Sequence, residues 1–192
     1  MTKIAVIVGS TREGRQSHKL AKWVAKDLEQ KVDVEVLDLV DYPIPFLYEA
    51  ISPRYNPERK TDEQTQKWLD KVADFDGYVI VTPEYNRSTS GVLKNAIDVL
   101  GHEIDDKPVA LVAHGSTGGA QAVANLRAIL PGVGAITIPI ALFFSDRLAD
   151  STDENGELKK EILDKPYGPQ AQLDAQLESL LWYTEALKAA RS

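Results

Sequence analysis

A chain of 192 residues can bury one sizeable core but is short for two, and 43% hydrophobic with 27% charged residues is the balance of an ordinary globular domain. The formal net charge of −7 argues against unspecific nucleic-acid binding, which needs a basic footprint, and no apolar run reaches the roughly 20 residues that span a bilayer. With no cysteine, disulfides, thiolate nucleophiles and cysteine-ligated metals drop out. Met1-Thr2-Lys3 leads straight into a strand pattern without a secretory signal, so a cytoplasmic location is expected.

Lys3 to Val8 (KIAVIV) is a continuous apolar, β-branched run, as in a strand buried on both faces. It stops at Gly9-Ser10-Thr11-Arg12-Glu13-Gly14-Arg15-Gln16-Ser17. A helix follows, with Leu20, Ala21, Val24 and Leu28 on one face and Ser17 at or near its N-cap. A helix N-terminus presents unpaired N–H groups and the positive end of the dipole, which favour phosphate. Ser10, Thr11 and Ser17 add hydroxyls, and Arg12 and Arg15 add charge to neutralise a dianion. There is no Gly-Lys-Ser/Thr of a P-loop, and Gly9 and Gly14 are wrongly spaced for G-x-G-x-x-G. The phosphate of a mononucleotide fits best.

Val32 to Leu39 reads as a strand nearer the sheet edge, and Asp41 to Tyr48 as a proline-punctuated loop whose aromatics cover a ligand site, join a subunit interface or fold onto their own core. Ile51 to Lys60 continues that loop, and mobility is expected there. Asp62 to Phe75 forms a helix capped by Thr61, with Trp68, Leu69, Val72 and Phe75 on one face. A third strand (Gly77 to Thr82) enters Pro83-Glu84-Tyr85-Asn86-Arg87-Ser88-Thr89-Ser90-Gly91, and a helix leaves it with Val92, Leu93, Ala96, Ile97 and Leu100 inward. Tyr85 offers a ring face, the backbone from Pro83 to Asn86 offers polar contacts, and Ser88 or Thr89 can reach a phosphate or ribityl chain. These contents suit a flat aromatic ligand edged with hydrogen-bonding groups. Lys94 reads as a solvated helix residue, and Arg87 first as an ordinary exposed loop arginine, with contact to a second phosphate as the weaker alternative.

Lys107 to Ala113 is the fourth strand, ended by His114-Gly115-Ser116-Thr117-Gly118-Gly119, where glycines let backbone N–H groups approach a ring system. For His114 a stacking or packing role outranks acid–base work. A helix from Gln121 to Leu130 buries Val123, Leu126 and Leu130. A fifth strand, Ala135 to Ile138, ends at Pro139. Asp146 to Glu157 is a polar surface excursion with a turn at Asn155-Gly156, and Glu154, Glu157 and Glu161 form a solvated face. Leu173, Leu177, Leu180, Leu181 and Leu187 mark a long final helix. Five strand patterns alternating with five helix patterns give a three-layer α/β domain with a parallel sheet, one domain over residues 1–192.

The PEYNxS…GxLKNAID string, at Pro83 to Ser88 and Gly91 to Asp98, resembles the NADPH-dependent FMN reductase family, as does the Ser10-Thr11-Arg12…Ser17 loop. Ser90 stands where the family usually has proline, which is expected to loosen that turn, and His18 replaces a common asparagine. The resemblance implies a flavodoxin-like sandwich with strand order 2-1-3-4-5, non-covalent FMN, and hydride transfer from NADPH or NADH to a second acceptor. That acceptor would be a flavin, quinone, azo dye or metal oxyanion. It places the phosphate at Ser10, Arg12, Ser17 and Arg15, the ring edge at Glu84, Tyr85 and Asn86, and the far side at Gly115, Ser116 and Gly118. It also implies a homodimer or homotetramer, with no catalytic side chain and no metal. A flavodoxin-like electron carrier is the competing class, disfavoured by two arginines in the phosphate loop.

Overall fold

The computed structural model describes residues 1–145, 147–153 and 157–191. The Asn155-Gly156 turn and Glu154 lie outside the described residues. Five parallel strands, β1 (Lys3–Val8), β2 (Asp33–Asp38), β3 (Gly77–Pro83), β4 (Pro108–His114) and β5 (Ile136–Phe144), form one sheet in the order β2-β1-β3-β4-β5. This is the order that the resemblance implied.

The apolar run of β1 is explained by its two faces. Ile4, Val6 and Val8 pack under α1 (Ser17–Leu28) and α7 (Pro169–Arg191), while Ala5 and Ile7 pack under α2 (Glu63–Ala73), α3 (Gly91–Asp98) and α4 (Ala120–Ile129). Each such side chain removed from water contributes about 1.5–3 kcal/mol before entropy is counted. β2 lies at the edge, where Leu37 is its one fully buried position among the described residues. The register sets Val8 beside Val81 and Pro83 beside His114, so β1, β3 and β4 deliver their following loops to one end of the sheet. Two short helices, α5 (Leu148–Ser151) and α6 (Lys160–Leu163), lie in the expected excursion, and Glu157 there pairs with Lys22 at 2.5 Å.

Three expectations are corrected. Pro139 does not end β5, which runs on to Phe144. The pairing jumps from Val109 opposite Thr137 to Leu111 opposite Ala141, so the proline sits in a bulge, where its missing N–H costs the ladder nothing. The freed carbonyls are met from the helices: Gln176 donates to Leu111 (2.8 Å) and Ile140 (3.1 Å), and Arg127 to Pro139 (2.5 Å). The cap of α2 is Asp62, whose carboxylate accepts from the Thr65 N–H at 3.0 Å and the Thr65 hydroxyl at 2.6 Å; Thr61 bonds Gln66 instead. Val92 is 38% exposed and faces outward. Ser90, in the place where the family usually has proline, caps α3, accepting from the Leu93 N–H at 3.2 Å.

Candidate functional site

The loops after β1, β3 and β4 meet at the carboxyl end of the sheet, the ligand-binding position of open α/β folds. Side chains from the first loop cross to both others. Ser10 Oγ lies 2.9 Å from the Tyr85 hydroxyl, and Ser17 Oγ lies 2.8 Å from His114 Nε2. Both serines are fully buried. Burial first, and then the Arg12 charge, push the His114 pKa down to about 4. At neutral pH its imidazole is therefore uncharged, as its packing role requires.

The guanidinium of Arg12 stands 5.3 Å from the centre of the Tyr85 ring. Arg15 turns the other way and pairs with Asp38 at 2.6 Å, so its charge is matched within the protein while its buried Nε remains without a partner. His18 is exposed, its pKa lowered by burial of the ring and by Arg15 and Lys19.

In the second loop a tight turn is closed by the Tyr85 N–H on the Ser88 carbonyl (2.8 Å) and the reciprocal bond (3.0 Å). Its central residues are left-handed, Asn86 at φ 50° and Arg87 at φ 70°. Asparagine tolerates that region; for arginine it costs about 1–2 kcal/mol. Asn125 on α4 steadies the turn, its Nδ2 donating to the Arg87 carbonyl at 2.8 Å. Glu84 reaches sideways: its carboxylate accepts from the Gln121 N–H at 3.0 Å and the Thr117 hydroxyl at 3.4 Å, tying the second loop to the third. At the end of the third loop Gly119 adopts φ 83°, where a Cβ would meet Ala113 at 2.5 Å. Only glycine lets α4 begin so close to β4.

The candidates are thus gathered, with different postures. Ser10, Ser17, Pro83 and Gly118 are buried, Glu84, Tyr85, Ser88, His114 and Gly115 half-buried, and Arg12, Asn86 and Ser116 exposed. Among the described residues, the N–H groups of Thr11, Glu13, Gly14, Asn86, Arg87, Ser116 and Thr117 donate to no protein acceptor. The N-cap position of α1 is Gln16, with no side-chain cap, and that of α4 is Gly119. Beside Thr11 opens a cavity of about 380 Å³, roofed by Tyr42, Pro43, Ile44 and Phe46. Buried Asn95 holds that roof, donating to the Ile44 and Pro45 carbonyls (3.2 and 3.0 Å) and accepting from the Leu47 N–H (3.1 Å).

Sequence reading did not single out Asn125, the lateral reach of Glu84 or the anchoring by Asn95. Each acts on a segment remote in sequence, so local spacing carries no signal for it.

The arrangement presents hydroxyls, the unpaired guanidinium of Arg12 and open backbone donors around an aromatic ring, which suits an anionic ligand with a flat polar-edged part. Known proteins agree. An NAD(P)H-dependent FMN reductase of Schizosaccharomyces pombe is 36% identical over 171 residues, covering 82% of this chain and 86% of that protein. An NADPH azoreductase of a Bacillus species is 35% identical over 166 residues, covering 84% and 86%. Among solved structures, FerB from Paracoccus denitrificans, an NAD(P)H:(acceptor) oxidoreductase, superposes with a TM-score of 0.76 at 26% identity over 95% of this chain and 99% of that one. The family model described as NADPH-dependent FMN reductase matches residues 2–149, a span that holds all five strands and all three loops, and the chain belongs to that family.

Proposed function

We propose that this FMN-dependent NAD(P)H oxidoreductase binds FMN in the three-loop site and passes electrons to a small-molecule acceptor of the quinone or azo class. The observation that carries the reading is the convergence of an uncapped helix, α1, with open backbone donors and a free arginine beside Tyr85. FMN fits those donors. Its phosphate needs several N–H groups and a positive charge, and the first loop supplies Thr11, Glu13 and Gly14 N–H groups, Arg12, and the orphaned buried Nε of Arg15. When bound, FMN supplies the hydride and electron chemistry.

The chain's own residues bind and orient. Ser10, Arg12, Arg15 and Ser17 hold the phosphate. Pro83, Tyr85, Asn86 and Ser88 would meet one ring edge and the ribityl chain, and Gly115, Ser116 and Gly118 the other side. His114 stays neutral and packs against Ser17. Glu84, beside that ring edge, also fixes the second loop to the third. Oriented N–H groups of the third loop would stabilise negative charge at the ring edge they face. We assign the protein to the cytoplasm as a homodimer or homotetramer, one domain spanning the chain; no helix among the described residues is long and apolar enough to cross a membrane.

The test is an absorbance spectrum of the purified protein with FMN, before and after NADPH is added without oxygen. Flavin bands that bleach within seconds support the reductase. Bands that persist make it an electron carrier, and no bound flavin refutes the site.

A further inference from the structure

A turn with positive φ at both central positions takes Asn-Gly most readily. Here the second position, at φ 70°, is Arg87. The turn is held from two sides, by the reciprocal Tyr85–Ser88 backbone pair and by Asn125 from α4. The side chain so displayed is exposed, and among the described residues no acceptor meets its guanidinium. A left-handed arginine fixed this firmly and left unpaired is an outlier that points to use.

Charge around the site narrows that use. Arg15 is matched by Asp38 at 2.6 Å. Arg12, 5.3 Å from the Tyr85 ring centre, serves the phosphate beside α1. Arg87 lies two residues beyond Tyr85 and is exposed, on a protein of net charge −7; with Arg12 it is one of two arginines of these loops that pair with no carboxylate among the described residues. A reductase of this kind admits two phosphate-bearing molecules, FMN and then a pyridine nucleotide. One unpaired arginine answers to the first.

We propose that Arg87 is a specificity-determining residue for the second, its guanidinium meeting the 2′-phosphate of NADPH, with Asn125 as the residue that positions the turn. An arginine is the usual partner of that phosphate, the group that separates NADPH from NADH. The inference rests on the reading of the site given above.

Arg87→Gly is the informative variant, because it installs the favoured Asn-Gly pair and so preserves the turn. FMN-loaded wild type, Arg87→Gly, Arg87→Lys and Asn125→Ala are titrated calorimetrically with 2′,5′-ADP and with 5′-AMP, which lacks the 2′-phosphate. FMN affinity and melting temperature are recorded on the same preparations. Wild type should prefer 2′,5′-ADP by about tenfold or more, the scale of one charge-assisted hydrogen bond. Arg87→Gly should abolish that preference and lower the NADPH-over-NADH ratio of kcat/KM by a similar factor, with FMN affinity maintained and the melting temperature maintained or raised as the left-handed strain is relieved. Arg87→Lys should retain part of the preference. Asn125→Ala should reduce it, and combining it with Arg87→Gly should add nothing further.

Undiminished preference in Arg87→Gly overturns the proposal and leaves the FMN site standing. An equal loss for both fragments overturns it too, since the arginine then does not read the 2′-phosphate. Wild type that binds no FMN removes the reading beneath it, and the inference with it.

Discussion

Ser90 joins the first two loops of the site, and its removal has a calculable cost. The residue is 3% exposed, and its hydroxyl donates to the Gly9 carbonyl at 2.5 Å and accepts from the Leu93 N–H at 3.2 Å. The backbone at Gly9 is pressed close: a Cβ there would meet Leu93 at 2.8 Å and the Val81 carbonyl at 3.0 Å. Ser90→Ala deletes an N-cap, worth about 1 kcal/mol. It also leaves the Gly9 carbonyl without this donor in a buried place, about 1–2 kcal/mol more. The sum, about 2–3 kcal/mol, lowers the melting temperature of a chain this size by roughly 5–10 °C. Ser90→Pro sharpens the test, because φ −70° and ψ 150° already lie where proline is comfortable. Proline loses the same two bonds but restricts the unfolded chain, recovering about 0.4–1 kcal/mol. Urea unfolding of the three proteins, each free of and saturated with FMN, should rank them serine, proline, alanine. An alanine variant as stable as wild type would refute the reasoning, because the hydroxyl would then contribute nothing net.

Arg12→Ala should weaken FMN binding by about 1–3 kcal/mol, the worth of a charge-assisted bond, measured by quenching of flavin fluorescence; unchanged affinity would misplace the phosphate. Glu84→Ala should cost about 1–2 kcal/mol in urea unfolding, through loss of the bond to the Gln121 N–H, and Glu84→Gln less, since it keeps an acceptor. His102 donates from Nδ1 to Asp105 (2.6 Å) and from Nε2 to the Arg54 carbonyl (3.2 Å), and the Asp105 bond raises its pKa above 6.5. Its stabilisation over His102→Gln should therefore be complete below pH 6.5 and vanish as pH rises through the raised value; a gap independent of pH would exclude the charged form. His114 has the opposite sign: with its pKa at about 4, the unfolded chain binds the extra proton between pH 6.5 and 4. FMN-free wild type should lose stability across that window relative to His114→Gln, and parallel acid profiles would show the ring to be freely protonated.

The strands and the three loops were legible because β-branched runs and glycine-rich breaks are local signals. The strand order was not, and came only through the family resemblance, since periodicity carries no information on which strands are neighbours. Pro139 misled for a physical reason: a proline removes a ladder donor, yet a bulge needs none there, and the compensating donors Gln176 and Arg127 sit on helices distant in the chain. Val92 misled because α3 spans only Gly91–Asp98, and its first turn opens onto the cavity beside Thr11 instead of the sheet. Thr61 and Asp62 are adjacent and both can cap; the aspartate prevails by taking two bonds from Thr65 at once.

The caps carry a further lesson about what the fold holds in reserve. Side chains cap α2 and α3, Asp62 for one and Ser90 for the other. At α1 and α4 the cap positions fall to Gln16 and Gly119, and neither supplies a side-chain bond. A serine or aspartate at the start of α1 would stabilise the free protein by about 1 kcal/mol, yet it would occupy the donors that an anion uses. Glu84 resolves the same conflict at α4 differently. It satisfies the Gln121 N–H from the neighbouring loop while the Ser116 and Thr117 N–H groups stay open. Stability forgone at those two helix ends is recovered when a ligand binds the folded state, about 2.7 kcal/mol at a hundredfold excess over Kd. On the proposed function the open ends of α1 and α4 belong to the site, so ligand affinity and the stability of the bound protein should rise together.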